Sequence, residues 1–286
     1  MKTTFISFIA VIMICMTAMS FTNSATDKNT ILIQAVDNQT TSTALSESAA
    51  IITARLKDFS TETFDVTIIP DKKQIQVAGI PDKDILNVRN LITKKGAIGF
   101  YKVYNRTELS ELLKGDQQVF SLLNSTDLTK RDPCIGWISV SKIDKVNEYL
   151  NAMRPSVKFK TVWSDSSDSS KISLYALRLE PVTGSLLSGN DLDSVKCSRN
   201  GVHDNWYISF NFKMSVVKKW ADITHDNIGN SIAIVIDNKV MCAPTVNTTI
   251  ESGKCQITGN FTETDVKLFR AVWNHGELPV LLKLVK

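Results

Sequence analysis

The chain has 286 residues, of which 43% are hydrophobic and 22% charged, and its formal net charge is +4. This is the composition of an ordinary globular protein, and the length suits one large domain or two smaller ones. Lysine and arginine are scattered along the chain without a dense basic run, so we expect no nucleic-acid partner.

The first 25 residues predict a secretory signal peptide. One lysine is followed by an uncharged apolar run from Phe5 to about Phe21, and polar residues come next. An uncleaved anchor is the alternative, although the run is slightly short of the about 20 apolar residues of a spanning helix. No later stretch approaches that length. We therefore expect an exported protein that touches the membrane only through its N-terminus, if this segment is not cleaved.

Residues 26–103 predict one half of a base. A strand, TILIQAV, precedes an amphipathic helix from about Thr43 to Phe59. Two alternating strands follow, joined by a turn at PDKK, and Asp82 then caps a second helix before the strand AIGFYKV. The order β-α-β-β-α-β is that of a ferredoxin-like unit.

Residues 196–286 repeat this order and predict the second half of the base. The segment SIAIVID is apolar throughout, as a central strand would be, and Asp237 with Asn238 turns the chain back. Thr262 and Asp265 form a capping box at the start of the last helix, and LPVLLKLV closes the chain.

Residues 104–195 are different and predict an inserted head subdomain. They contain short helices and a polar loop at 164–170. The whole chain is therefore expected to be α+β, with two ferredoxin-like halves forming a base that carries an α+β head.

Four cysteines follow the signal segment, and export makes disulfides possible. Cys242 and Cys255 lie on neighbouring elements and are the best candidate pair, while small apolar filling is the alternative role. The cysteine spacing matches no zinc pattern, and the three histidines are not clustered with the cysteines. We expect no metal site and no cofactor.

An ordered series of residues runs through the C-terminal third. Its members are Thr224, Asn227, Gly229, Asp237, Ala243, Pro244, Ile250, Gly253, Ile257, Gly259, Phe261, Thr262, Gly276, Leu278 and Pro279. The series closely resembles the pattern of the first periplasmic domain of SecD, the accessory subunit of the bacterial Sec protein-export machinery. Segments such as ARLKDF and LITKKGAIGFYKVYN also resemble that family, so the resemblance covers about residues 45–283.

The motif residues have structural interpretations. The glycines suit turns or caps with unusual backbone angles, Pro244 ends a strand, and Asp237 belongs to a hairpin turn. The set expected to shape the fold is Asn227, Gly229, Asp237, Pro244, Gly253, Gly259, Gly276 and Pro279. None of these roles is catalytic.

The chain also departs from the family. SecD carries membrane helices after this domain, and no such segment follows residue 25 here. The family's glycine-rich opening motif is replaced by ILIQAVDNQTT, and Val216 stands where glycine is usual. We therefore expect a stand-alone exported protein, and not a proton-driven motor, which needs ionisable groups inside spanning helices.

The resemblance implies a non-enzymatic protein that is periplasmic, or anchored on the periplasmic face of the inner membrane. It would bind unfolded secretory polypeptide or a Sec translocase component. Apolar head residues are candidates for that contact, with burial in the head core as the alternative: Val119, Phe120, Leu122, Leu123, Trp137 and Trp163.

Two other hypotheses stay open. A repurposed periplasmic module would bind a small ligand or an envelope protein without a part in export. A hydrolytic enzyme is disfavoured, because nucleophile-elbow, phosphate-loop and metal-ligand patterns are absent from the sequence. The nearest polar cluster, Asp222, His225 and Asp226, is better explained as a solvated helix end.

Overall fold

A computed structural model describes residues 29–113, 118–125, 132–152, 159–164, 170–199, 205–258 and 261–285. The predicted signal peptide and most of the polar loop at 164–170 lie outside the described residues. Among the helices that are described, none combines the length and apolarity needed to cross a bilayer.

The described residues form fourteen strands and seven α-helices. The strands are β1 (Asn29–Ala35), β2 (Asp65–Ile69), β3 (Gln74–Ile80), β4 (Ile98–Tyr104), β5 (Cys134–Ser139), β6 (Phe159–Ser164), β7 (Lys171–Arg178), β8 (Leu187–Ser188), β9 (Leu192–Arg199), β10 (Trp206–Phe212), β11 (Ile232–Ile236), β12 (Lys239–Cys242), β13 (Lys254–Thr258) and β14 (Leu282–Leu284). The helices are α1 (Ser42–Phe59), α2 (Ile85–Thr93), α3 (Arg106–Leu112), α4 (Gln118–Ser121), α5 (Ile143–Ala152), α6 (Met214–His225) and α7 (Glu263–Asn274). The predicted α+β class is confirmed.

The N-terminal sheet has the strand order of a ferredoxin-like unit, β14-β1-β3-β2, and all of its pairs are antiparallel. Helices α1 and α2 cover it through stripes of apolar residues at helical spacing, which include Leu45, Ile52, Val88 and Ile92. The predicted cap at Asp82 is wrong, because a 3₁₀ turn over Asp82–Asp84 precedes α2 and Asp82 instead accepts a hydrogen bond from the Asn29 amide.

The fourth strand of this sheet is not the one expected. The predicted last strand of the first half, β4, leaves the sheet and pairs with β11, β7 and β8, whereas β14 from the end of the chain takes its place beside β1. Burial explains the exchange: Ile98, Phe100 and Val103 are buried along β4, which requires neighbours on both sides. The three-residue β14 suits an edge.

A five-stranded ring lies at the centre of the molecule. Strands β4, β11, β12, β6 and β7 pair in succession, and two residue pairs between β7 and β4 close the ring. Along β11, Ala233 and Val235 point into the ring while Ile232, Ile234 and Ile236 point into the main core. Burial on both faces accounts for the continuous apolar run of this strand, as a central position predicts.

A three-stranded sheet, β13-β10-β9, faces the main core with one side. Phe210 and Phe212 on β10 contact the ring of Phe100 on β4, with centroid distances of 5.8 and 5.1 Å. Trp220 on α6 completes this cluster at 4.6 Å from Phe212. Aromatic packing of this geometry joins the second half to β4.

The head is continuous with this framework, because β6 and β7 belong both to the central ring and to the head sheet that ends at β5. Its own core is drawn from α3, α4, α5 and these strands. The boundaries predicted at residues 103 and 195 stay predictions.

Because β14 occupies the place in the N-terminal sheet that was predicted for β4, it couples that sheet to the rest of the protein. Leu282 on β14 is 4% exposed, so Leu282→Ala should lower the free energy of unfolding by about 2–4 kcal/mol. Its neighbour Leu281 is 54% exposed, and Leu281→Ala should cost less than about 0.5 kcal/mol. Urea unfolding of the full chain measures both changes.

The same experiment tests the coupling. The N-terminal sheet and its helices contain no tryptophan, so tryptophan fluorescence reports the rest of the chain and far-UV circular dichroism reports all of it. Both signals should shift together in Leu282→Ala. Two separated transitions would contradict a cooperative exchange of strands.

Candidate functional site

The segment that leads from α2 into β4 crosses the segment that leads from α7 into β14, and we call this point the crossing. It lies beside one buried cation, Arg55 on α1, which is 0% exposed. Its guanidinium donates hydrogen bonds to the carbonyl oxygens of Lys94 at 2.6 Å and Lys95 at 3.0 Å, and it also donates to Gly276 O. Lys94 and Lys95 lead into β4, and Gly276 leads toward β14. Arg55 therefore binds both segments at the point where they exchange.

Further hydrogen bonds fix the crossing. The Asp237 carboxylate accepts from Gly96 N and Ala97 N, each at 2.9 Å, and Leu278 N donates to Lys95 O at 2.7 Å. Gly96 has a φ of +85°, and a Cβ there would lie 2.6 Å from Arg55 Nη2. Glycine is therefore required both by its backbone angle and by the space that the guanidinium occupies.

Burial lowers the pKa of Arg55 to about 10, and the charge of Asp237 partly opposes this shift. The side chain stays protonated at neutral pH, and its positive charge is stabilised by carbonyl dipoles and by a carboxylate that lies nearby. Sequence reasoning missed this residue. The available signal was a charged residue on the apolar face of α1, three positions after Ile52 and directly before Leu56.

The first motif residues shape the end of α6. Thr224 is 0% exposed, and its hydroxyl donates to Trp220 O at 3.0 Å and accepts from Ile250 N at 2.9 Å. The Asn227 amide donates to Ile223 O at 2.6 Å. The Thr224 bond joins the C-terminus of α6 to Ile250, and the Asn227 bond closes the end of the helix itself.

The remaining motif residues lie at turns or strand ends. Gly229, Gly253 and Gly276 have φ values of +79°, +64° and +79°, and Asp237 has a φ of +48° in the β11–β12 turn. At Gly253 a Cβ would also lie 2.6 Å from Val217 on α6. Pro244 O accepts from Ile232 N, Pro279 lies in an exposed bend, and Gly259 lies outside the described residues.

Five of the six apolar head candidates belong to the head core or pack against it, and Trp137 lies half-buried outside that cluster. Val119, Phe120 and Leu123 are 1%, 6% and 8% exposed. Leu122 and Trp163 pack against the same cluster in part, and the Lys171 ammonium lies 4.6 Å from the ring centroid of the half-buried Trp137. Large apolar side chains are usually buried, and in the head they are shielded from water by packing against α4 and the strands.

All four described cysteines carry free thiols. Burial raises the pKa of Cys242 to about 12, with a further contribution from the nearby Cys255, and burial raises the pKa of Cys255 to about 11. The two side chains belong to β12 and β13, and their pairing stays a prediction. Raised pKa values keep both groups as unreactive thiols at neutral pH.

No group of metal-ligating side chains occurs within the part of the chain that the structure describes. Asp222 and His225, at the end of α6, contact different partners. Asp222 forms an ion pair with Lys218, and the His225 ring lies 3.3 Å from the Thr249 hydroxyl. Both contacts are exposed to solvent.

Replacing the buried cation should destabilise the whole fold. Arg55→Met leaves the carbonyl groups at the crossing without their donor and should lower the free energy of unfolding by about 2–4 kcal/mol. Arg89 is exposed on α2, and the matched change Arg89→Met should cost less than about 0.5 kcal/mol. Equal urea midpoints for the two variants would show that Arg55 does not hold the crossing.

Thiol labelling tests the state of the cysteines. In the reduced native protein at pH 8, Cys242 and Cys255 should react with iodoacetamide at least tenfold more slowly than in urea, since few thiolates form. After oxidation, peptide mapping should recover Cys242 joined to Cys255. Recovery of either residue joined to Cys134 or Cys197 would contradict that pairing.

Comparison with known proteins gives a consistent result. Residues 168–280 match the family model of the SecDF P1 head subdomain. The SecD protein translocase subunits of Endomicrobium trichonymphae and Leptotrichia buccalis are both 37% identical to this chain, over 102 and 101 residues. The subunit of Rickettsia conorii is 35% identical over 101 residues. Each match covers 35% of this chain but only 22%, 25% and 19% of the respective relative.

Two solved structures share the fold. A structure of SecDF, described as a membrane component that enhances protein export, matches 90% of this chain and 98% of its own chain, with a TM-score of 0.55 and 20% identity. SecDF in a super-membrane-facing form matches 90% of this chain and 29% of its own, with a TM-score of 0.57 and 18% identity. The chain therefore shares the fold of these SecDF structures, and residues 168–280 are similar in sequence to the SecDF P1 head subdomain.

Proposed function

We propose that this chain acts in protein export by binding unfolded secretory polypeptide, or a Sec translocase component, on the outer face of the inner membrane. The observation that carries the proposal is the match of residues 168–280 to a SecDF P1 subdomain within a fold that SecDF shares. The proposed role is non-enzymatic and needs no cofactor, because recognition of an extended chain requires surface and main-chain pairing groups.

The sheet β13-β10-β9 offers a surface of that kind. One face is buried, and the other lines an open groove of about 730 Å³. The groove carries Lys196, Ser209, Asn211, Lys254 and Gln256 from the three strands. Hydroxyl, amide and ammonium groups can bond the main chain of many different sequences, which an export factor must accommodate.

A second candidate function rests on a separate cleft. About 560 Å³ of space lies beside the crossing, lined by Lys94, Lys95, Lys239 and Tyr101 among others. That volume falls within the about 300–1,000 Å³ of small-molecule sites. A periplasmic module with a small anionic ligand would use this cleft and would have no part in export.

Cross-linking of the purified full chain tests the first proposal. A photoreactive secretory protein held unfolded should label the chain at least several-fold more strongly than the same protein after folding. Equal labelling, or none, would count against polypeptide binding.

A pull-down from envelope extracts separates the two functions. Recovery of translocase components supports export, whereas recovery of unrelated proteins alone supports the repurposed module. Saturable binding of small anions that is lost in Lys239→Met, without any client labelling, would also favour the second function.

A further inference from the structure

An apolar pocket of about 230 Å³ opens between the central ring and the three-stranded sheet. Its floor is formed by Phe100, Trp220, Ile232 and Ile234, all of which are at most 3% exposed. Its rim is formed by the segment 244–248 and by residues 254–256 of β13. The pocket shares residues 254–256 with the polar groove and has no lining residue in common with the cleft beside the crossing.

The floor of this pocket is a fixed aromatic surface. Trp220 is 2% exposed, and its Nε1, which has no partner among the described residues, is itself sealed from solvent. The rings of Phe212 and Phe100, 4.6 and 5.8 Å away, hold the indole in place. The indole therefore presents ring carbons, and not its N–H, to the pocket.

Size and chemistry define what the pocket accepts. Its volume is below the about 300–1,000 Å³ of small-molecule sites, so it fits a single side chain better than a separate compound. The floor is apolar, which favours a branched aliphatic or aromatic group.

The strand at the rim supplies a second feature. Within the described residues β13 pairs only with β10, so β13 is an edge of its sheet. An edge strand directs part of its N–H and C=O groups outward, and an extended peptide can pair with them. In such strand addition the main chain gives affinity and side-chain pockets give specificity.

We infer that the Trp220 pocket binds one apolar side chain of an extended polypeptide that pairs with the free edge of β13. The inference rests on the proposed function and specifies it. Clients would be selected for an apolar residue within an extended, uncharged stretch.

The probe is an acetylated and amidated octapeptide of alternating threonine and leucine, titrated against the full chain. It should bind measurably, and an all-threonine octapeptide should bind at least tenfold more weakly. Two further peptides carry N-methyl groups on either the odd or the even residues. Only one set of N–H groups would face β13, so one of these peptides should not bind and the other should bind as before. Equal binding of all four peptides would overturn the inference.

Two variants test whether the peptide binds at the Trp220 pocket. Thr248 is exposed at the rim, and Thr248→Tyr should weaken binding at least tenfold without changing the unfolding midpoint. Thr107→Tyr, on the exposed surface of the distant α3, is the matched control and should not change affinity. Equal affinity for both variants would place the peptide elsewhere and contradict the inference.

These results separate the inference from the function on which it rests. If unfolded clients label the chain and Thr248→Tyr has no effect on that labelling, the pocket is wrong and polypeptide binding stands. If neither clients nor peptides bind, both fail.

Discussion

The fold depends on a single buried guanidinium. Arg55 holds the carbonyl groups of two chain segments that run in opposite senses between the sheets, one leaving the N-terminal unit for β4 and the other entering it for β14. Desolvation of the cation is offset by those carbonyl dipoles and by the Asp237 carboxylate, which also binds the amides of Gly96 and Ala97. A crossing without such partners would leave main-chain groups unsatisfied in the interior, which is costly.

Strand exchange and the central ring make the head and the base parts of one framework. Strands β6 and β7 carry the head core on one side and close the ring with β4 and β12 on the other. Any movement of the head relative to the N-terminal sheet must therefore pass through main-chain hydrogen bonds of the ring, and not through a loop alone. The two short contacts that close the ring, each of two residue pairs, are its least extensive connections.

The ordered residues that resemble SecD shape turns, helix ends and close contacts. Thr224 and Asn227 end α6, Gly253 permits close contact with Val217, and Gly276 presents its carbonyl to Arg55. Together they place the segment 244–250 over Trp220 and leave β13 at an edge. The proposed surface for extended polypeptide would thus follow from turn geometry.

The amino-acid sequence determined the local elements, since period and turn chemistry act over a few residues. Helix α1, the β2–β3 hairpin, the two-sided burial of β11 and the capping box at Thr262 were all predictable in this way. The sequence did not determine which sheet receives β4 and β14, the closure of the ring through β6 and β7, or the orphaned donor of Trp220. Those features were decided by contacts between residues far apart in the chain, such as that of Arg55 with Gly276. Local sequence patterns extend over a few residues and cannot predict such contacts.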